Sequence, residues 1–393
     1  MNKKSGNFKT IGLDLKLTTI CVTDDASQMD NINFDCKYFM SDMPCLHNKL
    51  NNSECEVCSY YTKIGKRILI IKLRAIGDVI RTTPIITKLK LKYPNSQISW
   101  LTCFPSVLPK DKIDKIYNLD YISLYNLTNK EFDIAINLDK DEEACTLLSN
   151  VKAKKKYGFK IKNGHIAPAT KHAEHKLITG FFDEKSKQNT KHYIQEIFEI
   201  CEMKFEDEPC LINLNIPLAE KWKLNLTAKA GQKSIIGLNT GCGTRWQTRL
   251  WNEKKWIELI KQLQKNDCFP MLLGGEAEDS KNQYLSKETG CFYPGTFTLE
   301  EFIAVSDSAS VIVTQVTMMM HIAVALQKRI VLMNNIFNKH EFYLYNKGVI
   351  IEPTKKCECY YGNTCIKGES CMKYIETQKV FDNVLNLLKN TEN

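Results

Sequence analysis

The stretch that most constrains the fold is Lys66–Tyr93, KRILIIKLRAIGDVIRTTPIITKLKLKY. Its run Ile68–Leu73 is too short for a helix and apolar at every position but Lys72, so it reads as a strand covered on both faces. A loop with Arg74, Gly77 and Asp78 follows, and then an amphipathic helix that stops at Pro94. Strand, loop and helix in that order start a parallel sheet layered with helices. Ligands in such sheets bind at the carboxyl ends of the strands, which makes this loop the first place to look for chemistry.

The same alternation continues. QISWLT, KIYNL and FDIAINL read as strands, and KHYIQEIFEICEMKF as a helix. A second series begins with the strand SIIGLNT, the Gly-rich loop GCGTRWQTRLW and a helix from Glu253 with Asn252 as its N-cap. FPMLLGG, SVIVTQ and RIVLMNN are its further strands, and a helix opens near Thr317. The expected fold is α/β, with two Rossmann-like domains, one per series, facing a central cleft. The expected borders are 1–66 for N-terminal strands (within 8–24) and a Cys-rich segment, 67–215 and 216–353 for the two sheets, and 354–393 for a second Cys-rich segment and terminal helix.

A 43% hydrophobic and 25% charged chain has enough apolar residues for such cores. No apolar run reaches the roughly 18 residues of a membrane span, and MNKKSGNFK lacks a signal-peptide core, so a cytoplasmic protein is expected. The net charge of +9 favours acidic partners. The basic run Lys152–Gly164, with Tyr157 and Phe159 interleaved, reads either as a loop for an anionic acceptor or as a solvated surface.

Sixteen cysteines in such a chain argue against a disulfide scaffold, and their positions are informative. Cys36, Cys45, Cys55 and Cys58 lie in a segment rich in Asn, Ser and Asp, with His47 nearby. Cys357, Cys359, Cys365 and Cys371 crowd the C-terminal end. Each set suits one tetrahedral structural zinc or iron, making one or two sites, and an all-thiolate site has no open position for catalysis.

Four stretches together resemble the heptosyltransferases of glycosyltransferase family 9: ILIIKLRAIGDVIRTTP, GLNTGCGTRWQTRLWNEKKWIELI, MLLGGEAED and VIVTQVTMMMHIAVALQKRIVLM. The resemblance implies the two-domain GT-B architecture and inverting transfer of a sugar from a nucleotide-sugar, normally ADP-heptose, to a lipopolysaccharide-type or other glycan acceptor. It matches Asp78 to the catalytic base, although an Asp before Val79 also suits a helix N-cap. Arg249 stands where the family has a Lys and is expected on the leaving diphosphate. Donor-site expectations are Thr240, Gly241, Thr244, Glu278 on the ribose, the helix start Thr317, Met318 and Met319, and His321. Lys72, Arg74, Gly77 and Arg81, with the Lys154–Lys156 run, are expected on the acceptor side.

One departure stands out. Where the family has an Asp-Thr-Gly type sequence, this chain reads Val316-Thr317-Met318, which leaves the transferred sugar open. The expected partners are a nucleotide-sugar and an anionic glycan or lipid-linked acceptor, reached by peripheral contact at the inner membrane face; nucleic acid is not expected, nor is an organic cofactor. The alternatives are a same-fold transferase using another nucleotide-sugar and a non-catalytic, metal-stabilised binding module.

Overall fold

The computed structural model describes residues 28–243 and 245–389; the strands expected within 8–24 and the donor-site residue Thr244 lie outside the described residues. The compact units are Met1–Lys63 and Ile64–Asn393. In the first, one helix, α1 (Leu46–Asn51), lies between irregular turns.

In the second unit, the strands β1 (Arg67–Ile71), β2 (Gln97–Thr102), β3 (Lys115–Asn118), β4 (Glu131–Asn137), β5 (Lys152–Lys162) and β6 (His165–Pro168) form a sheet of order β3-β2-β1-β4-β5-β6. The first five are parallel and β6 is antiparallel. Its helices are α2 (Ile76–Ile80), α3 (Pro84–Lys92), α4 (Tyr121–Thr128), α5 (Glu142–Asn150), α6 (Glu174–Phe181), α7 (Asp183–Gln188) and α8 (Tyr193–Ile200). Helix α9 (Ile216–Ala230) leads to a parallel sheet of order β11-β10-β9-β7-β8. Those strands are β7 (Ser234–Asn239), β8 (Cys268–Leu273), β9 (Val311–Gln315), β10 (Arg329–Met333) and β11 (Gly348–Ile351). The helices among and after them are α10 (Glu253–Gln264), α11 (Asp279–Thr289), α12 (Leu299–Asp307), α13 (Met318–Ala325) and α14 (Thr377–Lys389).

The apolar strands are central because both of their faces are covered. Ile68 and Ile70 enter one core cluster and Leu69 and Ile71 another. Full burial of each such side chain is worth about 1.5–3 kcal/mol over leaving it exposed. The first cluster also holds Met271, Ile312 and Ile330, so it runs through both sheets. Helix α14 is part of the second half, with Val380, Phe381 and Val384 packed beside Trp256 and Val331. Caps fall where short polar side chains precede the helices: Asn252 accepts from Lys254 N at α10, and Thr317 accepts from Met319 N at α13. Among the described residues no helix is long and apolar enough to cross a membrane.

The lysine-rich run differs from expectation. Lys152–Lys162 is a strand, with Tyr157 and Phe159 turned into the core, the first paired onto β4 and the second onto β6. Lys154 and Lys155 lie at the amino end of the sheet, paired with Asp133 and Glu202 at 2.9 and 3.0 Å. The parallel register places them at the edge opposite the crevice, away from the acceptor side where they were expected.

Candidate active site

The strand orders locate the site. The first sheet reverses direction between β1 and β4, and the second between β7 and β9. Such switch points open a crevice at the carboxyl ends of the two strands concerned. Helices α2 and α13 start at the ends of β1 and β9 and lie against each other, so the two crevices meet at one seam. At that seam Gly77 is required by close approach: a Cβ there would stand 2.2 Å from Cδ2 of His321. A side chain would wedge the helices apart.

The first wall of the seam is a network of charges. Asp78 lies inside the first turn of α2, after Ala75 as N-cap, so it does not itself cap the helix. Its Oδ1 accepts from Arg81 Nη2 at 2.7 Å, and its Oδ2 stands 3.9 Å from Lys72 Nζ. The side chain stays 34% exposed. Enclosure by the protein works against its charge, but Arg81 first and Lys72 next hold the carboxyl down at about 2. The guanidinium of Arg81 also stacks on Tyr193, 3.5 Å from the ring centroid.

Lys72, expected among the acceptor contacts, is instead 2% exposed. It is ion-paired with Asp139 and donates to Arg74 O at 2.8 Å. Burial opposes its charge, yet Tyr193, Asp78 and Asp139 raise its pKa. Its geometry therefore makes it a support for Asp78 rather than a surface for a substrate. Arg74 is half-exposed and paired with Glu143 at 3.1 Å. Asp139 and Lys140, at the end of β4, and Tyr193 escaped the sequence reading. Their signal was the adjacency of β4 to β1, which NLDK by itself does not reveal.

The second wall is a loop held by its own backbone. Asn239 Nδ2 donates to Gly241 O at 3.1 Å and to Thr314 Oγ1 at 3.0 Å, joining the ends of β7 and β9. Thr240 is buried, its hydroxyl donating to Asn282 Oδ1 at 2.6 Å, while its carbonyl accepts from Lys281 Nζ at 2.6 Å. Lys281 is a further residue the sequence reading missed, and burial lowers its pKa. The carboxylate of Glu278 packs where a side chain on Gly241 would sit, and its Oε2 accepts from Gly275 N at 3.0 Å.

Arg249 is placed differently from the expectation of a direct diphosphate clamp. It is 7% exposed. Nε donates to Trp246 O at 3.1 Å, Nη2 to Arg245 O at 2.7 Å and to Cys242 O, and Nη1 to Val316 O. Of the five N–H groups of a guanidinium, this leaves one. Burial lowers its pKa. Arg249 thus ties the Gly-rich loop to the strand end that carries Val316. The exposed guanidinium of Arg245 stacks 4.0 Å over Trp246 and is the freer cation.

At the start of α13, Thr317 Oγ1 caps the amide of Met319 at 3.1 Å, which leaves those of Thr317 and Met318 at the positive end of the helix. Met319 and Met320 are core residues. The His321 ring faces Gly77, and burial, then Arg81, lower its pKa to about 3.

The C-terminal Cys-rich segment and Asn335 buttress the Gly-rich loop at Thr248. Thr248 Oγ1 donates to Gly362 O at 3.0 Å, and Thr248 O accepts from Ser370 Oγ and from Asn335 Nδ2, the latter at 2.9 Å. Cys359 and Cys365 sulfurs are 3.6 Å apart, and Cys357 is hydrogen-bonded to Cys371. Zinc–sulfur bonds of about 2.3 Å in a tetrahedron put sulfurs about 3.8 Å apart, so this pair fits a shared metal. Cys36, Cys45, Cys55 and Cys58 line one cavity in the separate N-terminal unit. Among the described residues no group of three Cys, His, Asp or Glu is drawn onto one coordination centre.

Residues 124–351 match the model of glycosyltransferase family 9 (heptosyltransferase). The chain is 30% identical over 111 residues to the lipopolysaccharide core heptosyltransferase OpsX of Haemophilus influenzae, a match spanning 25% of this chain and 31% of that protein. The chain thus spans about a third of the length of the curated relative it matches. Its fold is similar to that of a family 9 glycosyl transferase from Veillonella parvula, with a TM-score of 0.67 at 19% identity, over 84% of this chain and 99% of the other. It is also similar to TibC of enterotoxigenic E. coli, an iron-containing dodecameric heptosyltransferase solved with ADP-D-beta-D-heptose; the TM-score is 0.53 at 11% identity, over 84% and 78% of the two chains.

Proposed function

Because the chain belongs to glycosyltransferase family 9, the heptosyltransferases, we propose that it transfers a sugar, in the first instance heptose from ADP-heptose, with inversion, to a hydroxyl of a lipopolysaccharide-type or other anionic glycan. The observation that carries this reading is the seam itself. An ionised and partly exposed carboxylate, Asp78, held by Arg81, stands on α2, and α2 packs against α13, whose positive end comes from the opposite sheet. One group accepts a proton and the other accommodates an anion.

In the reaction the acceptor oxygen bonds the anomeric carbon as the bond to the diphosphate breaks, and the hydroxyl proton passes to Asp78. Arg81 and Lys72 keep Asp78 ionised and aimed, and act as positioning residues. The diphosphate lies on the amides of Thr317 and Met318, with Arg245 and the remaining N–H of Arg249 as cationic donors. Glu278, beside Gly241, takes the ribose hydroxyls. The test is calorimetric binding of a nucleotide-sugar panel, followed by a transfer assay with Asp78→Asn. Binding retained with turnover lost is expected, and failure to bind any nucleotide-sugar would sink the proposal.

A second reading, with a nucleotide-sugar other than ADP-heptose, is favoured by one observation. Val316, standing where the family has an acid, is 8% exposed and offers only its carbonyl, already taken by Arg249. The valine side chain cannot hold a sugar hydroxyl.

A structural zinc or iron bound by Cys357, Cys359, Cys365 and Cys371 would hold the C-terminal loop against Thr248, and TibC is a relative that contains iron. Its role is support of the donor loop, so chelation is expected to raise the donor KM about tenfold with little change in kcat, a change of about 1.4 kcal/mol. An unchanged donor KM after metal removal would refute it. The acceptor is taken to be met at the inner face of the membrane by a cytoplasmic enzyme, a placement that vesicle sedimentation can test.

A further inference from the structure

The N-terminal unit poses a physical problem that the transferase reading does not touch. Among its described residues none is buried: every side chain from Met29 to Lys63 is exposed or half-exposed. Among those residues the one α-helix, α1, has six residues, and the two ends are joined by polar contacts alone: the Cys36–Lys63 bridge, the bond from Lys37 N to Thr62 O at 2.8 Å, and Tyr61 and Lys63 on Asp35. A stretch of this size without a core needs disulfides, a metal or a partner to hold one conformation.

Its cysteines supply the means. Cys36 comes from a turn, Cys45 from the N-cap of α1, and Cys55 and Cys58 from the two ends of a short 3₁₀ turn. All four are free thiols, and all four line one cavity of about 30 Å³. The chain folds them toward it through local bonds: Asn33 Nδ2 donates to Cys55 O at 2.8 Å, Cys58 N to Cys55 O at 3.4 Å, and Phe39 N to Cys36 O at 3.1 Å. His47 also lines the cavity, but its ring is stacked on Tyr60 at 4.1 Å and met edge-on by Tyr38 at 4.6 Å, so it acts as a pillar.

We propose that residues 28–63 form a metal-nucleated module in which Cys36, Cys45, Cys55 and Cys58 bind one zinc or iron(II) ion as a closed tetrahedral thiolate site. Each thiol releases its proton to solvent on binding, and the metal–thiolate bonds supply the cohesion that burial does not. The site has no open position and takes no part in transfer. It is independent of the C-terminal cysteines and of the transferase reading.

The test uses the full chain. Elemental analysis of the protein purified under reducing conditions is expected to drop by about one equivalent of metal in Cys55→Ser/Cys58→Ser, and the element lost distinguishes zinc from iron. Because that variant could lose its N-terminal fold outright, thiol alkylation of the unaltered chain is mapped by mass spectrometry before and after chelation. Cys36, Cys45, Cys55 and Cys58 should be protected as a set and become reactive together. Unchanged metal content in the variant, alkylation rates indifferent to the chelator, or disulfides among these four would overturn the proposal. The C-terminal cysteines are read in the same map, so either site can fail alone.

Discussion

The two walls of the seam solve the same task, fixing the groups that line it, by opposite means. On the β1/β4 wall side chains hold side chains: Arg81 and Lys72 grip Asp78, and Asp139 grips Lys72. On the β7/β9 wall side chains hold backbone: Arg249 binds four carbonyls, Asn239 binds Gly241 O, and Lys281 binds Thr240 O. A charge network can be retuned by changing one charge. A loop cross-braced through its carbonyls loses its shape when the brace goes. The first wall should therefore fail in chemistry and the second in binding and stability.

Asp78→Asn is the strongest test of that division. It should lower kcat by about 10²–10⁴ while leaving nucleotide-sugar affinity nearly unchanged, with some loss of stability because Arg81 and Lys72 lose their partner. A large change in donor affinity instead would erase the distinction between the walls. Next in size is Arg249→Lys. One ammonium has three donors and cannot span four carbonyls, so about 2–4 kcal/mol of stability should be lost and the donor KM should rise, with kcat at saturation changing less. Thermal melting beside donor kinetics checks this, and a variant that melts like the original would show that the brace is dispensable.

Gly77→Ala probes the line where the walls meet. Its Cβ would collide with His321, so a cost of about 1–3 kcal/mol is expected, with weaker transfer of every donor. Relief by the double substitution Gly77→Ala/His321→Ala would assign the cost to this pair.

A further test concerns pH. His321 sits at about 3 in the folded chain, against an ordinary value of 6.5. Unfolding releases a stronger base, so the full stabilisation is present above the unfolded value and is lost as pH falls from 6.5 toward 3, at no more than about 1.4 kcal/mol per pH unit. His321→Gln should flatten that part of the stability curve. Asp78 acts in a lower window, between its ordinary 3.8 and about 2, with the same sign. Its protonation accordingly cannot cause an acid limb of activity near pH 5–6, and a limb traced to Asp78 there would contradict the network.

Much of this was legible in the residues. Ile68–Ile71 is apolar at four successive positions, and a short strand covered on both faces satisfies that pattern. Asn252 before Glu253, and Thr317 before a run of apolar residues, mark helix starts because their side chains can take a free amide. The lysines of β5 misled because charge argues for solvent, whereas alternation with Tyr157 and Phe159 meets both demands in a strand.

The sequence by itself thus determined the layered α/β fold, the family, and Asp78 at the end of the first strand, since each depends on neighbours along the chain. Only the tertiary structure decided that Lys72 is buried behind Asp78, that Arg249 is bound to backbone, and that Asp139 and Tyr193 belong to the site. Those roles depend on which strands lie side by side and on where a long side chain finds its partners. Hydrogen bonds and ion pairs form across space between residues as far apart as Lys72 and Asp139, and no local pattern records them.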